Sequence, residues 1–312
     1  MQTERRVRNE GNYQMNVKIA TAPCSWGVWW ADGTPSGTPW NVFLDQAHEA
    51  GYKALEMGPD GYLPTDVAQL KEELAKRDLE ICAGTACYTF ADYKDFSEVK
   101  PRVQQLCARL QQFDAHWLVT MDDSPIGFDR EIKKNMTAEE WDRLYNLFKD
   151  MGEYTEKEFG VRTVFHQHNG TLIETEAETI RIMDQSNLDL CFDTGHFAVV
   201  NGSWQHGDQS AIAFMRKYAD RIPYLHFKNV NGSIYREVIE KNMPIGESRE
   251  LDIMCNLDEG TIDYEEFRDL LTELNFKGIG VIEQDVPNAT TDEAFAIAKY
   301  NLNYLRKIGL IA

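Results

Sequence analysis

Four of the seven histidines stand where an apolar run gives way to polar residues: His166 and His168 in VFHQHNG, His196 in LCFDTGHF and His226 in YLHFKNV. The same run endings carry Asp193, Lys228 and, in VIEQDVP, Glu283 and Asp285. An imidazole or carboxylate at the end of a buried strand is costly to desolvate, which makes a metal ion worth looking for. Polar residues two apart in a strand share a face. His166, Asp193, His226 and Glu283 then offer one N or O ligand from each of four consecutive strands, a set suited to a divalent cation with a position left for substrate or water. With no thiolate in the set, Mn, Co, Fe and Zn are all open. His168, His196 and Lys228 would look at the substrate, where Lys228 could stabilise an oxyanion or exchange protons.

Other residues carry a bland reading beside the functional one. Glu56, ending KALEMG, is either a substrate contact or a salt-bridged rim residue. Trp26, Trp29 and Trp30 either pack their own loop or form a wall over a sugar-like ring. Asp122 and Asp123 are expected to cap a loop. His48 and His116 read as structural, and His206 fits either role.

The elements that must position these groups are well marked. VKIATAP, KALEMG, LEICAGT, HWLVTMD, RTVFHQH, LDLCFD, YLHFKN and GIGVIEQD read as eight strands, each followed by a helical pattern. Thr38 and Pro39 are expected as N-cap and first residue of the first helix, with Gly51 closing it. The next two helices are expected from about Thr65 and Pro101, and later ones near Ala211 to Tyr218 and from about Asp292 to Ile308. Thr137 with Glu140 and Thr175 with Glu178 form capping-box patterns, and Asp263 with Glu266 marks a further cap. Eight alternating units without a Pro/Gly/Ser-rich linker predict a single (β/α)8 barrel domain over 16–312, with functional groups at the strand C-termini. A doubly wound open sheet is the competing architecture; the absence of G-x-G-x-x-G after the first strand weakens it. About 30 residues, from Asn231 to Thr261, separate the seventh strand from its helix, a length typical of a lid or binding loop.

Composition narrows the function class. The 312 residues, 43% hydrophobic, suffice for a full core, and the formal charge of −19 disfavours a nucleic-acid surface. The six cysteines are scattered without C-x-x-C, which suggests neither a disulfide framework nor a Cys-rich zinc site and favours a reducing compartment, the cytoplasm. No apolar run approaches roughly 18 residues, so no membrane association is expected. The polar opening MQTERRVRNEGNYQ lacks an apolar centre and reads as a mobile tail over 1–15. The expected partner is a small molecule, with homo-oligomer formation left open.

IATAPCSWG, ALEMGPDGYLPTD, FHQHNGTLIETEAE, CFDTGH, LHFKNV, EGTIDY and IEQD together resemble the xylose-isomerase-like barrel superfamily, and within it the inosose dehydratase branch. That resemblance implies a metal-dependent lyase of inositol catabolism, a dehydratase acting on a polyhydroxy ketone, with Mn or Co favoured and Zn or Fe open. It places the metal ligands at His166, Asp193, His226 and Glu283. Epimerases and isomerases of the superfamily usually carry Glu where His166 stands, using it with the strand-eight Glu as a two-base pair. The expected reaction is loss of water from a keto-inositol or related keto-sugar through an enediolate, with His168 or Glu283 as base and Lys228 or His196 as acid. Alternatives are a sugar epimerase or isomerase, a β-eliminating lyase of 3-keto glycosides, or a non-catalytic sugar-binding or partner subunit.

Overall fold

Short apolar segments build the central sheet. The computed structural model describes residues 17–124, 131–243 and 251–311; the expected tail over 1–15 lies outside them. The strands are β1 (Lys18–Thr21), β2 (Ala54–Glu56), β3 (Glu80–Tyr88), β4 (Trp117–Asp122), β5 (Arg162–His166), β6 (Asp189–Asp193), β7 (Tyr224–Phe227) and β8 (Ile279–Ile282). All neighbours pair in parallel and β1 pairs with β8, so the sheet closes into an eight-stranded barrel with helices outside. The open-sheet alternative is excluded by that closure.

Alternation decides which residues face in. Ala20, Ala54, Ala83, Val119, Val164, Cys191, Tyr224 and Val281 form one cluster inside the barrel. Leu55, Leu118, Phe165, Phe192, Leu225 and Ile282 turn outward into the larger core shared with the helices. Small side chains on several strands leave room for Tyr224, whose ring meets Trp117 edge-on at 5.8 Å.

The capping boxes at Thr137–Glu140 and Thr175–Glu178 are both formed, and Asp263 accepts from the Glu265 and Glu266 amides. Two helix starts differ from expectation. Pro39 is the N-cap of Trp40–Ala50, because the Thr38 hydroxyl is turned inward to that of Thr291 at 2.8 Å. The helix expected from Pro101 begins at Phe96, where the Asp95 carboxylate takes the Ser97 amide, and Pro101 lies within it. Three helices had no advance signal: the short Glu131–Asn135, Thr194–Asn201, which follows β6 without a break, and Gly232–Glu240 in the long connection. That connection also carries an antiparallel pair, Asn229–Val230 with Met254–Cys255. All six cysteines are free. No helix among the described residues is long and apolar enough to cross a membrane.

Candidate active site and metal centre

The ends of β5 to β8 converge because their registers are locked. His166 pairs with Cys191, Asp193 with His226, and Phe227 with Ile282, so Glu283 emerges one step beyond. Asp193 both ends β6 and caps the helix that follows it. Its Oδ1 accepts the His196 amide at 2.8 Å, and its Oδ2 is turned to the barrel mouth, 3.3 Å from Lys228 Nζ and 3.8 Å from His226 Nδ1. The neighbouring Gln167 amide donates to the Asp193 carbonyl at 2.7 Å and fixes that bend.

His226 lies between two carboxylates. Its Nε2 is 3.1 Å from Glu56 Oε1, and its Nδ1 is 3.1 Å from Glu283 Oε2. Glu56 is oriented from below by the Tyr224 hydroxyl, which donates at 2.8 Å. Lys228, 1% exposed, reaches Glu283 Oε2 and Asp285 Oδ2 at 3.2 Å each and His196 Nε2 at 2.9 Å. The His168 ring lies 3.7 Å from that of His196 and 5.7 Å from that of His166. Gly195 makes this packing feasible, since a Cβ there would sit 2.7 Å from Lys228 Cγ.

These residues fit a divalent cation. His166 Nδ1 is buried with no hydrogen-bond partner, while Asp193 Oδ2 and His226 Nδ1, from two other strands, face charged neighbours, Lys228 at 3.3 Å and Glu283 at 3.1 Å. Buried polar atoms are ordinarily satisfied, so the unpartnered His166 nitrogen beside these donors suits a shared cation. The donor atoms fall into overlapping buried triads, each within 4.8 Å: His166–Asp193–His196, Glu56–His226–Glu283 and His166–Cys191–His226.

A family model for xylose isomerase-like TIM barrels matches residues 44–308. The chain belongs to that family. It is 29% identical over 310 residues to the inosose dehydratase of Mesomycoplasma hyopneumoniae strain J, covering 94% of this chain and 96% of the relative. Among solved structures it is similar to the IolI protein with a bound zinc atom, at TM-score 0.69 and 15% identity over 93% of this chain and 98% of the other. It is also similar to L-ribulose 3-epimerase, at TM-score 0.66 and 16% identity over 94% of each.

In this xylose isomerase-like barrel the electrostatics follow from burying both signs of charge together. Burial, reinforced by the neighbouring His226 and His168, holds His166 well below the ordinary histidine range, so the ring is neutral and its lone pair is available. Burial, with His168 and Lys228 beside it, lowers His196 in the same way. Burial also opposes charge on His226 and Lys228, yet their anionic surroundings win and hold both well above their usual values. For Lys228 those surroundings are Asp193, Asp285 and Glu283. Asp193 is pushed up to about 6 by burial despite Lys228 and His226. Glu283 goes the other way, since His226 and Lys228 outweigh its burial and hold it well below the carboxylate range.

The barrel mouth thus gathers His166, His168, Asp193, His196, His226, Lys228, Glu283 and Glu56. Trp26 is a correction: it has no exposure, packs edge-on against Phe43 at 4.9 Å and donates its indole N–H to Gln46, as part of the layer between barrel and helix. Trp29 is half-buried and Trp30 is 60% exposed. Asp122 does cap a loop, accepting from the Ala91 and Ser124 amides. His206 meets the Gly260 carbonyl at 3.1 Å in the connection after β6.

Sequence reasoning missed Tyr224, Cys191 and Asn169. The first two stand two residues before His226 and Asp193, so strand alternation could have found them. Asn169, whose side-chain oxygen meets His196 Nδ1, gives no such signal. Asn229 is a clamp: its amide donates to the Leu257 and Ile262 carbonyls and ties the long connection to the barrel.

Proposed function

We propose that this protein is a divalent-metal-dependent carbon–oxygen lyase that removes water from a keto-inositol or a closely related keto-sugar. The observation that carries the reading is the convergence of buried donors from His166, Asp193, His226 and Glu283 beside a buried lysine, with the His166 Nδ1 unpartnered. The 29% identity to an inosose dehydratase over nearly the whole of both chains supports the substrate class.

His166, Asp193, His226 and Glu283 would hold the ion. A bound divalent cation would supply Lewis acidity toward a ketone oxygen, which acidifies the neighbouring C–H. His168 is the base. Its Nδ1 lies 2.8 Å from the Asn169 carbonyl oxygen, so Nδ1 carries the proton and Nε2 the lone pair, the tautomer that proton removal requires. Lys228 is the acid, because its three carboxylate neighbours keep it fully protonated at neutral pH. His196 accepts from Lys228 at Nε2, consistent with a neutral ring whose Nδ1–H points to Asn169. The base takes the α-proton, its bonding pair becomes the new double bond, and the β-hydroxyl leaves with the lysine proton as water.

An epimerase on the same barrel would use two carboxylates on opposite sides of the carbon, and His166 stands where one of them would be. Chelated protein, re-loaded with Mn2+, Co2+ or Zn2+ and given keto-inositol, should yield a product lighter by one water only when the ion is restored. Turnover that survives exhaustive chelation would contradict the proposal, and a product of unchanged mass would favour the epimerase.

A further inference from the structure

Cys191 takes no part in the chemistry above, yet it sits beneath the proposed metal position. It lies on β6 two residues before Asp193, on the same inward face, and is the ladder partner of His166. Its sulfur and one nitrogen each of His166 and His226 lie within 4.8 Å of one another, all three residues being buried. His166 presents a buried Nδ1 without a hydrogen-bond partner, and the His226 Nδ1 faces Glu283 Oε2 at 3.1 Å. A thiol beside two buried imidazoles is a soft donor face, two nitrogens and a sulfur, directly under the hard carboxylates of Asp193 and Glu283.

We propose that Cys191 is a metal ligand, so that the centre binds a thiophilic cation through His166, Cys191 and His226 and prefers Zn2+, Co2+ or Cd2+ to Mg2+ and Mn2+. This rests on the reading of the barrel mouth as a metal centre and exchanges one of its carboxylate ligands for the thiolate. Binding exchanges the S–H proton, lost to solvent, for a sulfur–metal bond, and no electrons change owner. A cation one level deeper than the carboxylate tier would keep both imidazoles and take the thiolate, with Asp193 or Glu283 left to complete a four-coordinate shell. Thiolate and imidazole donors favour borderline and soft ions, whereas a carboxylate-only environment suits Mg2+ and Mn2+.

The test uses the full chain, chelated and titrated with Co2+ while metal content and the near-ultraviolet spectrum are followed. Wild type should bind cobalt with a thiolate-to-cobalt charge-transfer absorption. Cys191→Ser and Cys191→Ala should still bind the ion but lack that absorption, and their preference for Cd2+ over Mn2+ should fall at least about tenfold. Cys24, whose thiol is beside Glu283, supplies the control: Cys24→Ser should keep the band. Stoichiometric cobalt binding by wild type without the band would overturn the proposal and leave the metal centre standing, and this result needs no variant to fold. A band that survives in both Cys191 variants would also overturn it. Wild type that binds no cobalt at all would overturn the metal centre and this ligand together.

Discussion

Removing the Lys228 ammonium while keeping its bulk, as in Lys228→Met, would leave Asp193, Glu283 and Asp285 facing one another without their shared counter-ion. Breaking a buried charge cluster in this way costs about 3–5 kcal/mol. The variant should therefore unfold at clearly lower denaturant, and the folded fraction should lose about 10²–10⁴-fold in kcat. His168→Gln separates chemistry from ligation. Its side chain is not one of the proposed ligands, so metal content should match wild type while kcat falls by a similar factor. Loss of the metal in His168→Gln would show that the assignment of ligand to His166 and base to His168 is reversed.

At the scale of the elements, two close fits can be probed without touching a proposed ligand. Gly195→Ala would place a Cβ 2.7 Å from Lys228 Cγ and 3.1 Å from its backbone carbon, so the short helix after β6 and the end of β7 must move apart. The expected cost is about 1–3 kcal/mol, read from a denaturant midpoint. Asp122, capping the loop after β4, is held up at about 6 by burial in spite of its hydrogen bonds from Ser124 and Ala91. A carboxyl with a raised folded pKa binds its proton more tightly in the native state. Its contribution to stability is therefore greatest below about pH 4 and is lost as the pH rises through about 6, by at most about 3 kcal/mol. Asp122→Asn should flatten that segment of the stability–pH curve, and an unchanged slope would refute the assignment. The strands were legible from their apolar runs, and the two capping boxes and the Asp263 cap because each rests on local hydrogen bonding. Thr38 misled because a distant partner, Thr291, claims its hydroxyl. Pro101 misled because Pro is favoured at a helix start, whereas here it lies inside a helix that the Asp95 cap begins five residues earlier.

For the whole molecule, closure of the sheet turns four separate strand ends into one site. Legibility of the site followed from that: strand parity brought out His166, Asp193, His226 and Glu283, since barrel topology makes neighbours of consecutive strand ends. Tertiary packing hid the rest, sending Trp26 into the helix layer and bringing Asn169 onto His196. Because native protein alone assembles the donors, a cation at 100 times its Kd should raise stability by about 2.7 kcal/mol, visible as a higher melting temperature. Binding must also keep Asp193 ionised, so affinity should weaken as pH falls through about 6. The most direct measurement is equilibrium dialysis of chelated wild type and Asp193→Asn against Mn2+, Co2+ and Zn2+, with metal per chain determined afterwards. One firmly held ion in wild type, lost in Asp193→Asn, is the expected result; equal retention by both proteins, or none by wild type, would contradict a cation gripped at the barrel mouth.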